Sequence, residues 1–166
     1  MGQFGKVYQR NSGLKGWTES LPQILAGSDF RRVVEALVAA RSLSKPIIWG
    51  LGAHVIKCGL NPVLIDLMER GFLTALALNG AGAIHDFEIA LAGSTSEDVE
   101  SELETGDFGM SRETAEGLNE AVALGVSRSA GLGEAIGSYL AENSSRFPFC
   151  RVSLLATAFQ DRLPVT

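Results

Sequence analysis

The stretch PIIWGLGAHVIKCGLNPVLIDLMERGFLTALALNGAGAIHDFEIALAG, residues 46–93, decides the fold. Pro46-Ile47-Ile48-Trp49 is a short apolar run that suits a buried strand. It stops at the glycine-rich Gly50-Leu51-Gly52-Ala53-His54. Asn61-Pro62 then offers an N-cap with proline at the first helical position. Val63, Leu64, Leu67 and Met68 form the apolar stripe of that helix, and Gly71 ends it. Phe72 to Leu78 is a second apolar strand. It runs into Asn79-Gly80-Ala81-Gly82-Ala83, followed by a helix over Ile84–Leu91. Strand, glycine turn and helix thus occur twice. The alternation predicts an α/β fold with a Rossmann-like, doubly wound parallel sheet in three α/β/α layers.

Outward from this stretch the pattern changes. Residues 1–29 hold several glycines and Pro22, which predicts an irregular arm with one helical turn near Leu21–Leu25. Ser28 or Asp29 caps a helix over 30–42, on the spacing of Val33, Val34, Leu37 and Val38. The domain is therefore expected over 30–166. Downstream, helices are expected from Ser94–Asp98 to Leu103, after Ser111, over Gly133–Leu140 and over Val152–Phe159. Leu163-Pro164-Val165-Thr166 reads as the beginning of a further strand. A two-stranded sheet is a poor minimum, so the sheet is expected to be incomplete at the C-terminus, as in the N-terminal part of a longer protein.

The 166 residues carry a net charge of −5, which argues against a nucleic-acid footprint. No apolar stretch is long enough for a membrane span. Two cysteines, Cys58 and Cys150, make no disulfide framework, and Lys6 and Arg10 are followed by no apolar run, so the N-terminus is not expected to be a secretory signal. A cytoplasmic location is expected. Nineteen glycines are an excess, and glycine clusters mark places where backbone approaches something closely.

Two glycine turns on neighbouring parallel strands line one sheet edge, where open α/β sheets bind ligands. Backbone N–H groups there favour phosphate or another anion. The strict dinucleotide fingerprint is not met, because Val55 stands where its third glycine belongs. Both histidines, His54 and His85, follow these turns. His85, Asp86 and Glu88 are expected to open the second helix, where acids also serve the helix dipole. No spacing matches a metal motif, so no metal is expected. Gly131-Leu132-Gly133-Glu134-Ala135-Ile136-Gly137 imitates a nucleotide loop, but no strand precedes it. Its small residues are expected to permit close helix packing.

Residues 52–71 (GAHVIKCGLNPVLIDLMERG) and 76–93 (LALNGAGAIHDFEIALAG) resemble the dinucleotide-binding region of the deoxyhypusine synthase family. That family has a strand ending in a small-polar turn, and a second strand ending in a Thr-Ala-Gly-Gly turn followed by acids. The resemblance implies an NAD-binding, Rossmann-like fold and a homotetramer. It also implies aminobutyl transfer from spermidine or a related polyamine, held as an imine on a lysine. Gly50, Gly52, Ala53, His54, Asn79, Gly80, Ala81 and Gly82 would then contact NAD, with His54, His85 and Asp86 as catalytic candidates. Two departures stand out. Ile84 replaces the first acid after the turn. None of Lys6, Lys15, Lys45 and Lys57 has the family's Trp-Gly-Lys context. A nucleotide- or phosphate-binding module without redox chemistry, or a truncated fragment, is the other expectation.

Overall fold

The computed structural model describes residues 3–95 and 112–166. The chain divides into two compact units, Met1–Lys45 and Pro46–Thr166.

The first unit holds α1 (Gly13–Ser20) and α2 (Leu25–Ser42). A full helix stands where an irregular arm was expected. Gly13 and Gly16 lower its intrinsic propensity, which hid it in the sequence. α2 starts at Leu25, behind Ile24 rather than Ser28 or Asp29. Arg31 explains the earlier start: its guanidinium donates to the carbonyls of Thr18 and Pro22 at 3.0 and 3.1 Å, and to that of Leu21. It thereby satisfies carbonyls left over where α1 ends. Trp17 meets Phe30 edge-on at 6.0 Å. Neither helix has a buried residue.

The second unit is mixed α/β and mostly helical, around a two-stranded parallel sheet. β1 (Ile48–Leu51) leads at once into α3 (Ala53–Lys57), then α4 (Asn61–Glu69). β2 (Ala75–Leu78) leads at once into α5 (Gly80–Ala92). β1 pairs with β2 from Ile48↔Ala75 to Leu51↔Leu78. After the undescribed residues come α6 (Arg112–Arg128) and α7 (Leu132–Glu142). A 3-10 turn at Cys150–Val152 and α8 (Leu154–Gln160) follow. The helix expected from Ser94–Asp98 to Leu103 and the cap at Ser111 lie outside the described residues.

The C-terminal residues add an extended rung. Val165 bridges Leu76 in parallel, with Leu76 N–H donating to Pro164 O at 2.9 Å and Thr166 N–H to Leu76 O at 3.0 Å. The strand beginning read at Leu163–Thr166 is therefore present, beside β2 on the side away from β1.

Alternation along the strands sorts the two faces. Trp49, Leu51, Leu76, Leu78 and Val165 point into the helices and join two apolar clusters. One is built on Ile56, Leu64, Met68, Leu73, Leu154 and Ala158. The other is built on Phe87, Ile136, Tyr139, Leu140, Phe147 and Leu155. Burying each large side chain contributes roughly 1.5–3 kcal/mol. The opposite face carries Ile48, which is 70% exposed, with Gly50, Ala75 and Ala77. Within Pro46–Thr166 the described residues therefore make two layers, where three were expected.

The late glycines pack helices, as their small size suggested. A Cβ on Gly125 would stand 2.3 Å from Ala135 Cβ. One on Gly133 would stand 2.4 Å from Val165 O, and one on Gly137 2.4 Å from Leu155 O.

Candidate functional site

Each strand hands over to its helix through a single residue. Gly52 is the N-cap of α3, and Asn79 that of α5, its side-chain Oδ1 accepting from Gly82 N–H at 2.8 Å. Because β1 and β2 are parallel and in register, both handovers fall on the carboxyl edge of the sheet. They adjoin: a Cβ placed on Gly52 would stand 4.0 Å from Asn79 Nδ2. Gly50, Gly52, His54, Asn79, Gly80 and Ala81 are exposed there, and Ala53 is half-buried.

The glycines at this edge differ from the packed glycines Gly125, Gly133 and Gly137. Gly50 and Gly80 do not have left-handed φ, and a Cβ on either would meet nothing within 4 Å. Neither backbone conformation nor internal packing calls for glycine at these positions. At Gly50 the open space is the uncovered face of the sheet, and at Gly80 it is the carboxyl edge, where bare backbone is left facing it. Gly82 is different: it is buried, and a Cβ would press Asn79 Oδ1 at 3.2 Å. Its glycine serves the cap.

A small hollow continues from this edge. Leu78, Ala83, Ile136, Leu155 and Val165 line it, with Asn79, Gly80 and Thr166 also on its wall. Gly133 and Val165 belong both to it and to a cleft of about 430 Å³ beside Glu134, Phe159 and Arg162. Gly131, the N-cap of α7, is on that cleft, and a Cβ there would also meet nothing. The sequence signal for Gly131 was the Gly131–Gly137 run, which reads as helix packing at Gly133 and Gly137 but not at Gly131.

The catalytic candidates separate. His54 is the second residue of α3 and exposed at the edge. α5 begins at Gly80, not Ile84, so His85, Asp86 and Glu88 lie beyond its first turn and face inward. His85 Nδ1 is 2.9 Å from Glu88 Oε2, with both residues buried.

Asp86 has no exposed surface. Its Oδ1 accepts from Asn61 Nδ2 at 2.9 Å and Leu154 N–H at 2.8 Å. Its Oδ2 accepts from Ser153 Oγ at 2.6 Å and Leu155 N–H at 2.9 Å. The carboxylate therefore caps α8 from a distant helix, and its oxygens face protein donors rather than the edge. Burial pushes its pKa up, against the pull of those four hydrogen bonds. Burial of the Cys150 thiol and, to a lesser extent, the Asp86 charge raise the pKa of Cys150. Asn61, read as a helix cap, instead lies buried inside this group with Leu60 as the cap.

Among the described residues no three of His, Cys, Asp and Glu cluster as a metal site requires. None of the described helices is long and apolar enough to cross a membrane. No protein-family model and no curated protein matches the chain.

Proposed function

We propose that the edge built from Gly50, Gly52, Ala53, His54, Asn79, Gly80 and Ala81 binds the phosphate-bearing part of NAD. In this reading the chain is the cofactor-holding portion of a deoxyhypusine synthase-like enzyme, which moves an aminobutyl group from a polyamine. One observation carries the reading: Gly52 and Asn79, which follow two parallel strands in register, adjoin at one edge, and Gly80 leaves open space there that the protein itself does not fill. That is the arrangement a ligand needs to approach backbone N–H groups closely.

Bound there, NAD would supply a hydride acceptor. The chain's own part is to hold and orient it. The backbone at Gly80 and Ala81 opens a helix of 13 residues, whose N-terminal N–H groups and dipole favour an anion. His54, exposed at this edge, is the side chain placed to orient substrate or pass a proton. His85 and Asp86 act from beneath the edge by fixing α5. The two-stranded sheet is taken as part of a Rossmann-like sheet, and the protein as a cytoplasmic homotetramer.

The amine-holding lysine is assigned outside Lys6, Lys15, Lys45 and Lys57, none of which stands in the expected context. That same observation favours a second reading, a nucleotide- or phosphate-binding module without redox chemistry. Calorimetric titration with NAD tests the site. Gly52→Val and Gly80→Val should each abolish binding while circular dichroism stays unchanged. Binding that survives both substitutions would remove the site. Amine-dependent formation of reduced nicotinamide separates the two readings, since only the transferase reading requires it.

A further inference from the structure

We propose that the free edge of β1 pairs with β1 of a second copy of this chain, antiparallel about Trp49, so that Ile48 of each copy lies over Gly50 of the other. The inference stands independently of the cofactor reading. Among the described residues β1 has a strand on one side only. Ile47 turns both its backbone groups toward β2: its N–H donates to Thr74 Oγ1 at 2.7 Å, and its carbonyl accepts from Thr74 N–H at 2.9 Å. Backbone direction alternates along a strand, so Trp49 and Leu51 also face β2. Ile48 and Gly50 therefore turn their N–H and C=O groups outward, and both residues are exposed.

This edge lacks most of the protections that keep edge strands from pairing. Ile48-Trp49-Gly50-Leu51 has no charge and no proline, and its register with β2 runs unbroken from Ile48↔Ala75 to Leu51↔Leu78, without a bulge. Its short length is the one safeguard. Two features of its uncovered face also have no internal explanation. Ile48 is 70% exposed. Glycine inside a strand weakens it, yet neither backbone conformation nor packing requires Gly50, and a Cβ there would meet nothing within 4 Å. Ala77, beside Gly50 on β2, is small as well. The face thus carries a projecting Ile48 and, two residues on, a shallow depression at Gly50 and Ala77.

That order selects a second copy over another partner. A two-fold axis through Trp49 sets each Ile48 into the depression of the other copy, so the edge complements itself. A large cross-strand side chain over an edge glycine covers its bare backbone and fixes register. Ile48 and Gly50 of opposite copies then form pairs that exchange both N–H···O bonds, with Trp49 opposite Trp49 between them. Four residues a side bury far less than a standard interface of about 1,600 Å², so the dimer is weak and concentration-dependent.

Sedimentation velocity of the full chain tests this from about 10 μM to about 1 mM, the range of a weak interface. Amide hydrogen exchange is followed at both ends of that range. The chain should pass from monomer toward dimer. The Ile48 and Gly50 amides should exchange at least about threefold more slowly at the high concentration, while Trp49 and Leu51, already held by β2, stay unchanged. Gly50→Pro removes one outward N–H where an edge strand tolerates proline, and Ile48→Lys puts a charge on the edge. Both variants should remain monomeric throughout, with unchanged circular dichroism. Should Gly50→Pro fail to fold, Ile48→Lys decides. A parent chain that stays monomeric would overturn the proposal, as would association undiminished in Ile48→Lys. Equal exchange of the Ile48 and Gly50 amides at both concentrations would overturn it too. Protection of those amides in the dilute monomer would assign the edge to another segment of this chain, with the same consequence.

Discussion

Asp86 and Ser153, separated by 67 positions in sequence, share a 2.6 Å hydrogen bond in the interior, Oγ donating to Oδ2. Ser153 Oγ accepts in turn from Ala156 N–H at 3.0 Å, so the pair closes the first turn of α8 from both sides. α8 leads directly into the residues that bridge β2. The polar pair thus fixes the segment that extends the sheet. Asp86→Ala strands four buried donors at once, and each stranded donor costs about 1–3 kcal/mol before water or relaxation compensates. We expect a net loss of roughly 3–5 kcal/mol in urea unfolding. Ser153→Ala should cost about 1 kcal/mol, because Leu154 and Leu155 still donate to the carboxylate. A loss below 1 kcal/mol for Asp86→Ala would mean that the cluster is not holding α8.

The same carboxylate makes a pH prediction. Burial raises its pKa in the folded chain above the ordinary carboxyl range. Between the unfolded and folded values, the folded state retains a proton that the unfolded chain releases. The Asp86 contribution to stability therefore falls as pH rises through that window. Glu120 has the opposite sign, because hydrogen bonds from Tyr139 and Arg146 lower its pKa. The Asp86 part is isolated by the difference between the parent chain and Asp86→Asn, which leaves Glu120 intact. The parent should lose stability relative to Asp86→Asn as pH is raised from acid toward neutral. A difference that grows in the parent's favour would show that the four hydrogen bonds outweigh burial.

The glycines divide into two kinds with opposite mutational signatures. Gly137→Ala drives a methyl group to 2.4 Å from Leu155 O, and backbone must move. We expect a loss of roughly 2–3 kcal/mol. Gly80→Ala meets open space and removes a flexible residue from the first turn of α5, so stability should stay within about 1 kcal/mol of the parent. Gly50→Ala should behave similarly. Equal destabilisation at Gly137 and Gly80 in chemical unfolding would contradict the distinction on which the site rests.

Much of the second unit was legible in sequence because its signals are local. Pro46–Trp49 and Phe72–Leu78 are apolar runs that precede glycine-rich stretches, but β1 continues through Gly50 to Leu51, read as turn, and β2 is confined to Ala75–Leu78. Leu163–Thr166 was legible for the same reason. The Gly131–Gly137 run was recognisable as packing because a helix precedes it. What was illegible is non-local. Asp86 looks like any acid near a helix start, and only the fold brings Asn61 and Ser153 to it. α1 was hidden by its glycines, and the early start of α2 depends on Arg31 reaching back to carbonyls of the preceding turn. That the described residues of the second unit cover one face of the sheet is likewise a property of packing: both strands are apolar on both faces, as a three-layer fold would require.

If the glycine edge holds a nucleotide, its backbone amides report the ligand directly. Nuclear magnetic resonance of the isotopically labelled chain, titrated with NAD, tests it residue by residue. Backbone amide signals of Gly50, Gly52, Ala53, Gly80 and Ala81 should shift in a saturable way, while those of Gly59 and Gly71 stay fixed. No saturable shift, or shifts confined to residues away from this edge, would contradict it.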